Sequence, residues 1–151
     1  MGSAAAFIAF GTPPVDDGAA DLKYVLGIAR ELGQSMTDYL VEITKSAFPV
    51  GTAKKVRCAF AEELHVRNID FNFDIVSNPE FMKQGAAIEV FMKPERFAVG
   101  VESEAQRIFD KMYSPVTLNG HQVLFKGIPS SELTKYAANP MLAMVTEWAK
   151  F

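Results

Sequence analysis

Short apolar runs that alternate with helical stretches constrain this chain more than any other feature. Ala4 to Phe10 is a nearly unbroken apolar run ended by Gly11-Thr12-Pro13-Pro14, the pattern of a strand buried on both faces. Tyr39 to Thr44 predicts a second strand and Phe71 to Ser77, ended by Asn78-Pro79, a third. Arg96 to Val101 and Val123 to Phe125 predict a fourth and a fifth. Helical patterns lie between them. Asp21 is placed to cap a first helix carrying Leu22, Val25, Leu26, Ala29 and Leu32 at helical spacing and closed by Gly33. Thr52 to Leu64 and Ser103 to Met112 predict two more. From Ser130 to the C-terminus the chain reads as helix, with Ser130 or Ser131 as cap and Glu132 or Leu133 in the first turn. Strands alternating with helices of this length build βαβ units, so the expected fold is α/β, three layers with a mostly parallel sheet.

Composition narrows the function classes. A length of 151 residues suits one domain. Lys plus Arg is 15 and Asp plus Glu is 18, giving −3; nucleic-acid binding would need a basic excess. The apolar fraction is 49% and the charged fraction 22%, and twelve Phe and seven Met supply a core, so an ordinary soluble globule is expected. No apolar run is long enough to cross a membrane. The opening Met1-Gly2-Ser3-Ala4-Ala5-Ala6 lacks the basic start of a secretory signal. A single cysteine fits a reducing, cytoplasmic compartment. Cys58, inside Lys55-Val56-Arg57-Cys58-Ala59-Phe60, is read as a buried, inert thiol. Lys54, Lys55 and Arg57 read as a solvated helix face, and Trp148 as a cover over an exposed apolar surface. His65 and His121 have no acidic or cysteine partner at ligand spacing, so no metal site is expected.

In sheets of this kind ligands sit beyond the carboxyl ends of the strands. Three such segments mix small, rigid and polar residues: Gly11 to Pro14, Ser46 to Thr52, and Asn78 to Phe81. Each alone reads as an ordinary turn. Together, all at strand ends, they point to a ligand cleft.

The residues Phe7 to Pro14, Thr44 to Thr52, Asp74 to Glu89, Phe91 to Arg96 and Ser131 to Asn139 follow, in order and spacing, the motifs of the nucleotide-sugar 6-dehydrogenases. The chain resembles that family from Phe7 to about Leu142. The wording of Phe91-Met92-Lys93-Pro94 and Thr134 to Asn139 is closer to the UDP-glucose branch than to the GDP-mannose branch. The resemblance implies a Rossmann-like fold, here the second half of a doubly wound, mostly parallel sheet with flanking helices. Residues 1–128 would be the C-terminal half of an NAD-binding domain, and 129–151 the start of a long connecting helix. The family's Gly-x-Gly-x-x-Gly turn, which holds the dinucleotide pyrophosphate, does not occur in the sequence. Neither does its Gly-rich cysteine loop, and Cys58 lies in the wrong context to replace it.

The family oxidises the C6 alcohol of UDP-glucose twice, with two NAD, through a cysteine thiohemiacetal and thioester that water hydrolyses to UDP-glucuronate. Charge developing on the C6 oxygen calls for a cation and an amide beside it, and hydrolysis for a carboxylate near the water. By motif match Lys135 is the cation and Asn139 the amide, four residues apart and so on one helical face. Glu80 matches the carboxylate that lines the sugar and serves hydrolysis. The loop Glu80, Phe81, Met82, Lys83 and Gln84 would wrap the substrate, and Thr12, Ala47 and Gln84 would meet NAD. The bland readings are a solvated helix lysine for Lys135 and a helix-start carboxylate for Glu80.

Three departures stand out. Ala47-Phe48 replaces the family's Thr-Val, Gln84 replaces a second glutamate, and Pro140 replaces an alanine on the helix that carries Lys135, where it removes a backbone hydrogen bond and favours a kink. Three readings stay open: the recognisable part of an enzyme for UDP-glucose, a catalytically dead truncated homologue, or an interaction module that pairs with an intact homologue. Neither nucleic acid nor membrane is an expected partner, and a homo-oligomer is left open. In a doubly wound order the first strand would also present a bare apolar edge, prone to aggregation or dimerisation.

Overall fold

The computed structural model describes residues 3–10, 20–79, 97–101, 103–117 and 123–148. The strands are β1 (Ala5–Ile8), β2 (Leu40–Thr44), β3 (Phe73–Ser77), β4 (Phe97–Gly100) and β5 (Val123–Lys126). The helices are α1 (Lys23–Ser35), α2 (Thr52–Val66), α3 (Ser103–Thr117) and α4 (Ile128–Trp148). The strands form one sheet in the order β1-β2-β3-β4-β5. β1, β2 and β3 run parallel, with Ala6 beside Glu42 and Glu42 beside Ile75. β4 joins antiparallel through Ser77 and Gly100, and β5 runs parallel to β4. The mostly parallel α/β sheet expected from the sequence is therefore present, with one reversal between β3 and β4.

Both faces of the sheet are covered, which is why its strands read as apolar runs without polar alternation. On one face Ile8, Leu40 and Ile75 pack with Val25 and Ala29 of α1 and Val56, Phe60 and Leu64 of α2. On the other, Val41, Ile43, Val76 and Val99 pack with Ala105, Phe109 and Tyr113 of α3. All five residues of β2 are buried. β1 lies at an edge, and Phe7 and Phe10 are about half exposed there.

Three local expectations need correction. Gly33 does not end α1; it lies inside the helix, buried, where a Cβ would come within 3.0 Å of Glu63 Cβ and 3.3 Å of Phe60 O. It is the point of close approach between α1 and α2. The helix instead stops at Met36, whose N–H donates to Leu32 O, and Arg67 donates to Gly33 O and Met36 O, a cation on the last carbonyls. α3 runs beyond Met112 to Thr117, through Pro115. Pro115 has no N–H for Lys111 O, and Ser114 Oγ donates to that carbonyl at 3.1 Å instead. α4 starts at Ile128, ahead of the predicted serine caps, because Gly127 O accepts from both Ser130 N and Ser131 N. α4 is one helix through Pro140.

Gly100 sits under the start of α4. A Cβ there would lie 2.7 Å from Ile128 Cα and 2.8 Å from Ser131 Cβ, closer than packed carbons tolerate. Gly100→Ala is expected to lower stability by about 1–3 kcal/mol through overpacking; urea denaturation checks this, and a loss below about 0.5 kcal/mol would mean that α4 yields freely.

Candidate functional site

The carboxyl ends of β1, β2 and β3 are tied to each other before any side chain joins in. Lys45 N donates to Ile8 O at 2.8 Å and Asn78 N to Thr44 O at 2.9 Å. Ser46 Oγ donates to Phe10 O. Above this platform lies a buried polar cluster. Asn78 Oδ1 accepts from Lys45 Nζ at 2.9 Å and from Tyr113 OH at 3.0 Å, while Asn78 Nδ2 donates to Ala98 O at 3.3 Å. Lys45 Nζ also lies 3.4 Å from Tyr113 OH. Lys45, Asn78 and Tyr113 are all buried, so β2, β3, β4 and α3 meet through one satisfied network.

A second cluster joins α2 to α4. Gly51, immediately before α2, has φ +93°, a backbone conformation that glycine adopts at little cost. The helix has no cap from its own preceding side chain, so its first amides need acceptors. Glu132 of α4 supplies both: its Oε2 accepts from Gly51 N at 2.7 Å and its Oε1 from Ala53 N at 2.8 Å. One residue earlier, buried Ser131 Oγ donates to Ser77 O at 3.0 Å. Thr44, Ser46, Phe48, Ala53, Ser77, Pro79 and Glu132 enclose a cavity of about 10 Å³, room for roughly one water and not for a nucleotide. A larger cleft of about 610 Å³ lies at the opposite, amino end of β1 and β2, lined by Ser3–Ala6, Leu32 and Ser35–Leu40. That is the end of the sheet where ligands are not expected.

Glu42 lies in the middle of β2 between Ala6 and Ile75, fully buried. Among the described residues its Oε1 has no hydrogen-bond partner, and its Oε2 meets only Thr44 Oγ1, at 3.4 Å. Burial pushes its carboxyl up to about 8, and the Thr44 hydroxyl only partly offsets that. At neutral pH the protonated form therefore dominates. It can donate to Thr44 Oγ1, which in turn donates to Val76 O at 3.3 Å.

The residues expected from the sequence to carry chemistry are placed unevenly. Lys135 is half-buried on α4, one turn beyond Ser131 and Glu132. The backbone of Asn139 is helical four residues further on; its side chain lies outside the described residues. Ala47 is half-buried just after β2, and its neighbour Phe48 fills the core between the sheet and α2. Thr12, Glu80, Phe81, Met82, Lys83 and Gln84 lie outside the described residues, as does His121.

Cys58 is exposed, contrary to the buried thiol expected. The inward stripe of α2 is Ala53, Val56, Ala59, Phe60 and Leu64, and position 58 turns outward with Lys54 and Lys55. Arg57 is half-buried, its guanidinium carbon 5.7 Å from the centre of the Phe73 ring, so the solvated face is narrower than expected. Trp148 covers no surface among the described residues: it is 78% exposed. Sequence reasoning missed Lys45, Glu42 and Tyr113 and saw Asn78 and Glu132 only as turn and first-turn residues. Local signals existed for two of them, a glutamate inside an apolar strand and a lysine at a strand tip. Among the described residues no group of His, Cys, Asp and Glu could hold a metal, and no helix is long and apolar enough to cross a membrane.

Comparison with known proteins agrees with this architecture. The family model described as the UDP-glucose/GDP-mannose dehydrogenase family, NAD binding domain, matches residues 2–117. The chain is 40% identical over 138 residues to the UDP-glucose 6-dehydrogenase of Pseudomonas aeruginosa, aligning 91% of this chain with 30% of that protein. It is 42% identical over 142 residues to that of Rhizobium meliloti, covering 91% and 32%. Among solved structures, a UDP-glucose dehydrogenase from the archaeon Pyrobaculum islandicum matches with a TM-score of 0.83 and 38% identity over 92% of this chain and 32% of that one. A GDP-mannose dehydrogenase ternary complex from Pseudomonas aeruginosa matches with a TM-score of 0.87 at 22% identity over 98% and 34%, a likeness of fold alone. The chain spans about a third of the length of the relatives it matches. With most of its length matched by the family model, the chain belongs to the UDP-glucose/GDP-mannose dehydrogenase family.

Proposed function

We propose that this chain is the sugar-facing share of an NAD-dependent UDP-glucose 6-dehydrogenase, without turnover of its own. In this reading residues 1–128 are the C-terminal half of the NAD-binding domain and 129–151 begin the connecting helix. Lys135 places its ammonium beside the C6 oxygen of UDP-glucose, and Asn139 donates an amide N–H to the same oxygen, so that developing negative charge is stabilised. Glu80 lines the sugar and serves the water that attacks the last intermediate, within a loop of Phe81, Met82, Lys83 and Gln84 around the substrate. Ala47 and Gln84 lack the hydroxyl and the carboxylate that the family pattern has at these positions, so Thr12 is the cofactor contact that keeps its polar group. A cytoplasmic setting, and a homo-oligomer or pairing with an intact homologue, belong to the same reading.

The observation that carries it is the seating of α4: its first turn is fixed to the strand tips, and Lys135 is half-buried one turn on.

NAD supplies the hydride acceptor when it is bound, but the starts of α1 and α2 do not offer its pyrophosphate free amides. That group needs free amides at a helix N-terminus. Gly51 N and Ala53 N at the start of α2 donate to Glu132 and Thr52 N to Pro49 O, and Lys23 N at the start of α1 donates to Asp21. Mixed with UDP-glucose and NAD, the purified chain is expected to form no NADH, and titration calorimetry should detect no NAD binding in the micromolar range. NADH formation would overturn the absence of turnover. Saturation-transfer NMR is expected to report weak UDP-glucose contact that Lys135→Ala removes and that GDP-mannose does not compete away. No transfer, or transfer indifferent to Lys135→Ala, would sink the sugar-facing reading.

A further inference from the structure

Three contacts from three elements converge on one turn of α4. The Glu132 carboxylate, 5% exposed, accepts from Gly51 N and Ala53 N at the start of α2. Ser131 Oγ donates to Ser77 O at the tip of β3. Gly100 at the end of β4 brings its backbone against Ile128 and Ser131.

These contacts do different things. The Gly100 approach sets how closely the helix lies on the sheet. The Ser131 hydroxyl is a single hydrogen bond, which leaves the helix free to pivot. A carboxylate with both oxygens engaged by two amides of a rigid helix end is a two-point, charge-assisted contact, and it fixes rotation about the α4 axis. Rotation decides which side chains face the strand tips, because direction changes by about 100° per residue. Lys135 is three residues beyond Glu132 and four beyond Ser131, hence on their face. Among the described side chains of α4, those at 128, 131, 132, 134, 135 and 138 are the buried or half-buried ones. After Pro140 the helix offers no comparable hold among the described residues, for Met141, Leu142, Met144, Val145 and Trp148 are all more than half exposed.

We propose that Glu132 is a positioning residue: its carboxylate, seated on the first amides of α2, sets the rotation of α4 that keeps Lys135 on the strand-tip side of the helix. The proposal deepens the reading of Lys135 above and rests on it for its functional meaning. It also gives the α2 N-terminus a resident anion from the protein itself.

The test uses the native, exposed Cys58 of α2 and a second cysteine at the exposed position Thr146 of α4. Both carry spin labels, and pulsed electron paramagnetic resonance reads their separation. The Thr146→Cys chain is expected to give one narrow distance. Adding Glu132→Gln keeps the shape but turns an amide N–H₂ toward an N–H donor. Its distribution is expected to shift or widen by ~5 Å, the scale of a helix radius, while circular dichroism stays that of the parent. Glu132→Ala should do the same or more; should it fail to fold, the Gln variant decides alone. Acylation of Lys135, followed by mass spectrometry, is expected to change about threefold or more with Glu132→Gln, since a rotation of tens of degrees alters its exposure. An unchanged distance distribution in a folded Gln variant, or an unchanged acylation rate, overturns the proposal. UDP-glucose contact separates the two ideas. A widened distribution in a chain that never binds UDP-glucose sinks the sugar reading and leaves the clasp standing; binding with an unchanged distribution does the reverse.

Discussion

Glu42→Met is expected to stabilise the chain by about 2–4 kcal/mol at pH 8, and to flatten its stability between pH 4.5 and 8. The parent carries a carboxyl in the middle of β2 with one oxygen lacking a partner among the described residues. Burial raises it from 4.5 to about 8 in the folded chain. Below pH 4.5 both folded and unfolded chains hold the proton, and its contribution is complete. Between 4.5 and 8 the unfolded chain releases the proton while the folded chain keeps it, so stability falls as pH rises. The span from 4.5 to about 8, at roughly 1.4 kcal/mol per pH unit, sets a ceiling near 5 kcal/mol, and movement of water and side chains toward an ionised carboxylate lowers the cost. Methionine has similar length, no charge to desolvate and enough flexibility to fill the space beside Ala6 and Ile75. Urea midpoints at several pH values across this window decide the matter. A parent whose midpoint does not fall toward pH 8, or a Met variant that falls as steeply, would show that Glu42 finds a partner or water that relieves it.

The same residue shows where sequence reasoning reached and where it stopped. Leu40-Val41-Glu42-Ile43-Thr44 is apolar enough to announce a doubly covered strand, and it is one. The periodicity of α2 was equally legible. Against the stripe of Val56, Ala59 and Phe60, the outward position of Cys58 follows from 100° per residue. Gly33 is illegible for a different reason: glycine near a helix end is normally a cap, and only the position of a second helix reveals a crossing point. The antiparallel entry of β4 is not legible in a four-residue apolar run, which carries no information about direction. Glu132 was least legible of all. Its partners are backbone amides of Gly51 and Ala53, about eighty residues away, and an amide at a helix start looks the same in every sequence. Local pattern fixes elements and faces, whereas contacts between a side chain and a distant backbone come only with the assembled fold.

Asn78→Ala is expected to cost about 3 kcal/mol, although a residue before proline in a loop would ordinarily tolerate replacement. The side chain is 1% exposed and makes three hydrogen bonds, from Lys45 Nζ and Tyr113 OH and to Ala98 O. At about 1 kcal/mol net for each, more where a charged donor takes part, their joint loss reaches that figure. Asn78→Asp separates this account from simple packing. A carboxylate keeps both acceptor bonds and strengthens the one from the Lys45 ammonium, losing only the donation to Ala98 O, so it should cost roughly half as much as alanine. Tyr113→Phe removes one hydroxyl while leaving the ring stacked 4.2 Å from Phe109, for about 1 kcal/mol. Because Asn78 and Tyr113 share a bond, the double variant should cost less than the sum of the singles by on the order of 1 kcal/mol. Urea denaturation of the four chains gives the cycle, and hydrogen exchange at Asn78 N, which donates to Thr44 O at 2.9 Å, reports whether the β2–β3 tips loosen. Additive losses, or an alanine variant within about 0.5 kcal/mol of the parent, would mean that the strand tips are held by backbone alone.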